Sequence, residues 1–118
     1  MNIDSIKLID ADERRKFIHP LSDYSVLSES WEEAEFHCVD VKTDSVRLAY
    51  WTREPGCILL DPWTYTEVCS MLRGRIAIDD RQGGRREFTA GQGFVVPKGF
   101  SGEWITIEPS AKIFVAIY

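Results

Sequence analysis

The chain has 118 residues and a formal net charge of −5, from 19 acidic and 14 basic residues. This size predicts one domain, and this charge argues against the clustered basic face that binds nucleic acid. No apolar run reaches the length of a transmembrane helix, and no signal-peptide pattern opens the chain, so no membrane contact is expected. The three cysteines form no C-x-x-C pair, which disfavours a disulfide framework or a structural zinc site and predicts a cytoplasmic protein.

Residues 1–45 are interpreted as an irregular N-terminal arm. Ile6–Ile9 is the one short apolar stretch before residue 22, and it is a candidate edge strand. Residues 10–17 form either one helical turn or a solvated loop. Residues 30–33 match a helix capping box, S-x-x-E, but the same segment equally leads into a strand beginning near Phe36. We expect the arm to pack on the wall of the following domain or on a second subunit.

Residues 46–118 show a β pattern throughout, with short runs rich in β-branched and aromatic residues between Gly, Pro and Asp breaks. The predicted strands are 46–52, 57–61, 66–72, 75–79, 86–88, 93–96, 103–108 and 112–117. Residues 81–85 form the clearest hairpin tip, because two glycines there can take positive φ. The arginines around it, Arg81, Arg85 and Arg86, suggest a phosphate cradle, but such a pattern is more typical of a solvated turn.

Two motifs lie between Gly56 and Gly102. The first reads G-CILLD-PWTYTE-VCSMLR-G, and the second runs Gly91, Pro97, Gly99 in the order G-x5-P-x-G. They resemble the two motifs of the cupin superfamily. The segments GQGFVVPKGFSGEW and EPSAK are most similar to short single-domain cupins that include the ureidoglycine aminohydrolase cupin domain. The resemblance implies an all-β fold, an antiparallel double-stranded β-helix or jelly-roll barrel, over residues 46–118 behind the arm.

Metal-binding cupins hold a divalent metal with three histidines and a glutamate. Glu67 matches the glutamate of that motif. The remaining ligand positions carry other residue types, which are Pro62 and Thr64, or Asp61 and Trp63, depending on the alignment, and then Gly102. The chain has two histidines, His19 and His37, both outside the motifs. Three-histidine ligation is therefore impossible within one chain, a two-histidine site would need both of them at Glu67, and we predict no metal and no cofactor.

The interior of the predicted barrel follows from strand alternation. If Glu67 points inward as its family counterpart does, residues of the same parity share its face. On the first motif these are Leu59, Asp61, Trp63, Tyr65, Cys69 and Met71, and on the later strand they are Phe100, Gly102, Trp104 and Thr106. Such an aromatic lumen is typical of a small-molecule pocket, but a small barrel is equally often filled by its own side chains.

Lys112 begins a strand that is apolar on both faces. Either it pairs with Glu67 across the lumen, in the place of a metal, or it lies at the strand start and reaches solvent or Glu108. Glu67 is a candidate general acid or base if burial raises its pKa, with Tyr65 as a candidate donor. Cys69 has no identifiable base beside it and is more simply a core residue.

We therefore predict a metal-free cupin that binds a small polar or carboxylate-bearing metabolite in the barrel. The candidate ligand-binding residues are Asp61, Trp63, Tyr65, Glu67, Cys69, Phe100, Trp104 and Lys112. One alternative is a metal-independent isomerase, epimerase or ureide hydrolase that uses Glu67. Another is a structural dimerisation module with a filled barrel. A homodimer is expected in which the arm, with Ile6, Leu8, Trp31 and Phe36, or the outer sheet forms the interface.

Overall fold

The computed structural model describes residues 1–20, 25–38 and 45–118. Within these ranges the N-terminal segment has two 3₁₀ helices, Ile3–Ser5 and Glu13–Arg15. The strands found there, in chain order, are β1 (Lys16–Phe17), β2 (Ser25–Val26), β3 (Glu33–His37), β4 (Val46–Arg53), β5 (Gly56–Leu60), β6 (Thr66–Arg73), β7 (Arg75–Asp79), β8 (Arg85–Thr89), β9 (Gly93–Val96), β10 (Gly102–Thr106) and β11 (Ser110–Ile117). No helix in the described part of the chain is long and apolar enough to cross a membrane.

The strands form two antiparallel sheets in a jelly-roll arrangement, which confirms the predicted fold class. One sheet has the order β1-β3-β4-β11-β6-β9 and the other has the order β2-β5-β10-β7-β8. Strands that follow one another in sequence often lie in opposite sheets, as β4 and β5 do. The core therefore lies between the two sheets and is closed by residues distant in sequence.

The strands predicted over residues 46–118 are all present, with ends that differ by one or two residues. The hairpin at residues 81–85 joins β7 to β8, and Gly83 takes a φ of +96° at its tip. Alternation also places the expected residues inside on two strands, which are Glu67, Cys69 and Met71 on β6 and Gly102, Trp104 and Thr106 on β10. On β11, for which no inward face was predicted, Lys112, Phe114 and Ala116 are buried.

The inward parity predicted from Glu67 is wrong for β5. Ile58 and Leu60 face the lumen there, whereas Leu59 faces away and Asp61 is exposed. The reason is that β5 and β6 belong to opposite sheets, so the chain turns between them and does not continue one alternation. Strand parity applies only within an unbroken strand.

The N-terminal segment contributes to both sheets. Strand β3 pairs with β4, β1 pairs with β3, and β2 pairs with β5. The proposed edge strand at Ile6–Ile9 is wrong, since those residues form no strand. The capping-box pattern at residues 30–33 begins no helix, because β3 starts at Glu33. The division into an arm over 1–45 and a barrel over 46–118 stays a prediction.

The four apolar residues expected at a dimer interface behave in two ways. Trp31 and Phe36 are 8% and 4% exposed, so the chain already buries them and they are not available to a partner. Ile6 and Leu8 are exposed near the N-terminus. A partner surface built from this segment would therefore use residues 3–8 and not the strand that follows.

Candidate functional site

Glu67 and Lys112 form an ion pair in the centre of the molecule. Lys112 Nζ donates to Glu67 Oε2 over 2.5 Å, and each residue is 4% exposed. The pair forms because Glu67 lies on β6 and Lys112 on the neighbouring strand β11. Lys112 lies opposite Met71, which shares the buried face of β6 with Glu67. Glu108 was the alternative partner expected for Lys112, but its Oε1 lies 3.8 Å from Arg75 Nε instead.

Two further donors complete the surroundings of the Glu67 carboxylate. Cys69 Sγ donates to Oε2 over 2.8 Å, and Trp63 Nε1 lies 3.4 Å from Oε1. Backbone hydrogen bonds hold Trp63 against the second motif. The backbone N–H of Trp63 donates to the carbonyl of Phe100, and the N–H of Gly99 donates to the carbonyl of Trp63. The G-x5-P-x-G segment therefore positions a donor for Glu67, with Gly99 at a φ of +93° that favours glycine.

Aromatic rings surround the Lys112 ammonium. Its Nζ lies 3.8 Å from the centre of the Trp104 ring, 4.4 Å from that of Trp51 and 5.1 Å from that of Phe114. Rings at such distances attract a cation through their quadrupoles, and more strongly when water is excluded. The chain's own ammonium therefore lies in an aromatic cage of the kind that binds cationic ligands in other proteins.

The ion pair keeps both groups charged. Burial acts to raise the pKa of Glu67, but the Lys112 charge and the hydrogen bonds from Cys69, Lys112 and Trp63 outweigh it and lower that pKa. Burial acts to lower the pKa of Lys112, and the charges around it raise it overall. The condition for Glu67 as a general acid or base, a pKa raised by burial, is therefore not met. Burial also raises the pKa of the Cys69 thiol, which serves as a hydrogen-bond donor.

The geometry of the metal positions explains why a metal does not fit here. A Cβ added at Gly102, the third histidine position, would lie 2.3 Å from the carbonyl oxygen of Asp79. No residue with a side chain can therefore supply a ligand from this position without moving the backbone. Both histidines lie elsewhere, and the described residues contain no group of three His, Cys, Asp or Glu side chains arranged to hold a metal.

Metal independence is a testable consequence. Purified protein is expected to carry no stoichiometric transition metal by elemental analysis, and a chelator is expected to leave its melting temperature unchanged. The reason is that the Lys112 ammonium already neutralises Glu67, so a metal would add like charge beside a cation. One metal per chain that survives gel filtration would contradict this prediction.

The lumen around the ion pair is almost filled. Its cavity has a volume of about 30 Å³, room for about two water molecules. All four tryptophans of the chain line it, and they are Trp31, Trp51, Trp63 and Trp104. Glu33 also reaches it. Glu33 Oε2 accepts from Trp51 Nε1 over 3.0 Å, while its buried Oε1 accepts no hydrogen bond from any residue in the described ranges. A water-sized donor therefore fits there.

A second polar cluster lies on β3 and its neighbours. Glu35 is buried and lines the lumen, and the chain's two histidines both contact it. His19 Nε2 lies 2.5 Å from Oε1, His37 Nε2 lies 3.1 Å from Oε2, and Arg47 Nε lies 3.5 Å from Oε2. Burial acts to raise the pKa of Glu35, but these three basic side chains lower it overall. The histidines that a metal site at Glu67 would require are therefore used at Glu35.

A larger polar pocket, the mouth pocket, adjoins this cluster. Its volume is about 460 Å³. Its lining residues are His19, Ser25, Arg47, Leu59, Leu60, Asp61, Pro62, Thr64, Tyr65 and Tyr118, and two of them, Leu60 and Tyr65, also line the lumen. The Arg47 guanidinium carbon lies 5.4 Å from the Tyr65 ring centre, and the Tyr65 and Tyr118 ring centres are 5.3 Å apart. The pocket therefore combines positive charge with aromatic walls.

The predicted ligand-binding residues fall into three places. Trp63, Glu67, Cys69, Trp104 and Lys112 lie together in or around the nearly filled lumen. Tyr65 lines both the lumen and the mouth pocket, and Asp61 lies on the exposed rim of the latter, where it accepts a hydrogen bond from Ser101 Oγ. Phe100 contacts Trp63 and lines a separate cleft at the open edge of the sheets.

The sequence interpretation missed Glu33, Glu35 and Arg47. The alternation Glu33-Ala34-Glu35-Phe36-His37 is the signal that was available. Read by the usual rule, it would turn the acidic residues to solvent. In the structure they face the lumen, while Ala34 and Phe36 are buried on the opposite face.

The arginine-flanked hairpin is a solvated turn. Asp79 Oδ1 accepts from the N–H of Arg81, and Asp80 Oδ1 accepts from the N–H groups of Gln82 and Gly84. These backbone donors, which a phosphate would need, are already bound by carboxylates. Arg85 lies 3.6 Å from Glu87.

Comparison with known proteins agrees with this architecture. Residues 41–114 match the EutQ-like cupin domain family, and no curated protein matches the chain significantly. The EutQ protein of Clostridium difficile superposes with a TM-score of 0.66 at 13% identity over 75% of this chain and 64% of that one, so the chain spans less than two thirds of it.

Two further structures are of the DUF861 family. One from Pseudomonas syringae pv. tomato has a TM-score of 0.74 and 15% identity over 86% of this chain and 43% of that one. One from Thermotoga maritima has a TM-score of 0.51 and 23% identity over 55% of this chain and 73% of that one. At these identities the structures establish the fold alone, while the family match covers more than half of the sequence. The chain belongs to the EutQ-like cupin domain family.

Proposed function

We propose that this cupin domain binds a small carboxylate-bearing metabolite in the mouth pocket, without a metal. The observation that carries the proposal is the contrast between two spaces. The lumen holds about 30 Å³ beside a satisfied ion pair, while the mouth pocket holds about 460 Å³ beside Arg47 and His19. Pockets of several hundred cubic ångströms with a few polar groups and aromatic walls are typical small-molecule sites.

The chemistry of the pocket favours a ligand with an acidic and a donor end. An arginine fork suits a carboxylate, and the carboxylate of Asp61 on the rim suits N–H donors. A ureido acid has both ends. The resemblance to the ureidoglycine aminohydrolase cupin domain supports this ligand class, which is the finer part of the proposal. Acid–base catalysis by Glu67 receives no support, because Lys112 holds that carboxylate ionised.

Ureidoacetate is the probe that tests this proposal, with acetate and urea as its two halves. We expect ureidoacetate to raise the melting temperature in a saturable way, since a ligand that binds only the folded state stabilises it. Acetate and urea are expected to raise the melting temperature less. Arg47→Gln should weaken the binding of ureidoacetate by about tenfold, because the charge-assisted hydrogen bonds of the arginine fork are lost. Calorimetric titration measures the affinity.

Two variants make this test specific. Arg47→Lys keeps the charge beside Glu35 but loses the planar fork, so an intermediate affinity is expected. Arg85→Gln, outside the mouth pocket, is the matched control and should bind as the natural protein does. Equal binding by Arg47→Gln and the natural protein, or no binding of any probe, would refute the mouth pocket as the site.

A second role, as a dimerisation module, is favoured by the outer face of the six-stranded sheet. Leu48, Val115, Val68 and Val95 form one apolar row across four strands, since each is the register partner of the next. Val68 and Val95 are 40% and 58% exposed. A contiguous apolar patch of this kind typically marks a protein interface, and two-fold dimers are the commonest assemblies.

Val68→Asp tests this second role. We expect the natural protein to behave as a dimer in light scattering at micromolar concentration, and Val68→Asp to behave as a monomer, because two copies of the new charge would meet across the interface. Ser70→Asp, on the same face of β6 but outside the row, is the control for a general charge effect. A natural protein with the mass of a monomer would contradict the role.

A further inference from the structure

A cleft at the open edge of the two sheets is separate from the lumen and from the mouth pocket. It lies where the outer strands β8 and β9 face each other without pairing. Its volume is about 260 Å³. Its lining residues include Ile78, Arg86, Phe88, Phe94, Val96 and Phe100. We propose that this cleft binds a single-ring aromatic carboxylate.

The walls of the cleft suit a flat ring. Phe88 and Phe94 stack with ring centres 4.1 Å apart and an interplanar angle of 14°. Both, with Ile78 and Phe100, are partly buried against the core, so each still presents apolar surface to the cleft. Aromatic rings add to apolar burial when they stack in offset or edge-on geometry. The volume is below the roughly 300–1,000 Å³ of sites for drug-sized ligands, which favours one ring.

The register of β8 gives the cleft its charge. Arg86 and Phe88 are the partners of Ile78 and Ile76, so both lie on the face of β8 that turns toward the core. The Arg86 guanidinium carbon lies 5.5 Å from the Phe88 ring centre. Arg86 makes no ion pair with any residue in the described ranges, unlike its neighbour Arg85, which also lines the cleft but lies 3.6 Å from Glu87. A carboxylate above the rings would supply that partner.

Two other features agree with this choice of ligand. Asp80 is the carboxylate on the rim of the cleft, and its Oδ1 is bound by the N–H groups of Gln82 and Gly84. A second copy of the chain is a poor occupant, because β8 begins with Arg85-Arg86-Glu87 and β9 is four residues long and ends before Pro97. Short, charged edges that stop at a proline disfavour pairing with another strand.

Benzoate tests the proposal, with benzamide as the neutral ring and acetate as the carboxylate without a ring. In a ¹H–¹⁵N NMR titration of the full chain, we expect saturable benzoate shifts confined to β8, β9 and residues near Phe100. Benzamide should bind more weakly, and acetate should give no saturable shift. Arg86→Gln should weaken the binding of benzoate by about tenfold and leave the affinity for benzamide unchanged. Arg81→Gln, on the same hairpin but outside the cleft, should behave as the natural protein.

The remaining outcomes overturn the proposal. These are no saturable benzoate binding, equal binding by Arg86→Gln and the natural protein, and shifts centred on Tyr65 and Tyr118, which would place the ring in the mouth pocket. A concentration-dependent mass whose dimer form blocks benzoate would assign the cleft to a second copy instead. Because Arg86 and Phe88 lie outside the mouth pocket, failure here leaves the ureidoacetate test unaffected.

Discussion

Lys112→Met is expected to lower the free energy of unfolding by about 3–5 kcal/mol, the usual effect of leaving one member of a buried ion pair alone. The Glu67 carboxylate would keep its hydrogen bonds from Cys69 and Trp63 but lose the cation 2.5 Å away, in a site that is 4% exposed. Chemical denaturation measures the loss. Lys98→Met, at an exposed lysine, is the matched control and should change little.

The double variant Glu67→Gln with Lys112→Met tests whether the two groups act together. It should be more stable than Lys112→Met alone, because no unpaired charge remains in the core. The two single variants and the double variant close a thermodynamic cycle. A coupling energy near zero would show that the 2.5 Å contact contributes nothing, and the lumen would then be an apolar core with a carboxylate on its edge.

The sequence was most informative where one unbroken strand carried the pattern. Alternation on β6 and β10 placed Glu67, Cys69 and Trp104 inside because each strand continues without interruption through these residues. The hairpin tip at residues 81–85 was also readable, since Gly83 takes a φ of +96° there. These features follow from local chemistry, which a single sequence records.

The site was less predictable because its residues come from both sheets and from the N-terminal segment. Nothing local indicates that His19 meets Glu35, sixteen positions away. The polar face of β3 turns inward, against the usual rule, because basic side chains from other elements neutralise Glu35. The nearly filled lumen likewise depends on four tryptophans that converge from separate segments. Such contacts are set by tertiary packing, which pattern alone does not record.

Glu35→Gln is expected to lower the free energy of unfolding near neutral pH by about 1.5–3 kcal/mol, the range for hydrogen bonds to charged groups. The amide keeps the shape of the carboxylate but removes the charge that His19, His37 and Arg47 face. Although burial acts in the opposite direction, these groups hold the pKa of Glu35 below its ordinary value. A carboxylate with a lowered folded-state pKa contributes stability that is fully present above its unfolded pKa, about 4.3.

That contribution is lost as the pH falls through the folded-state pKa, because both states then bind the proton. The difference in stability between the natural protein and Glu35→Gln should therefore be largest above about pH 5 and shrink toward lower pH. Glu67 titrates in both proteins and cancels from the difference. Glu32→Gln, at an exposed neighbouring glutamate, is the control for the exchange of Glu for Gln itself. Denaturation curves between pH 3 and 8, about the range that spans these pKa values, measure the difference. A difference that stays constant across this range would show that the Glu35 cluster holds its residues by shape alone and not by charge.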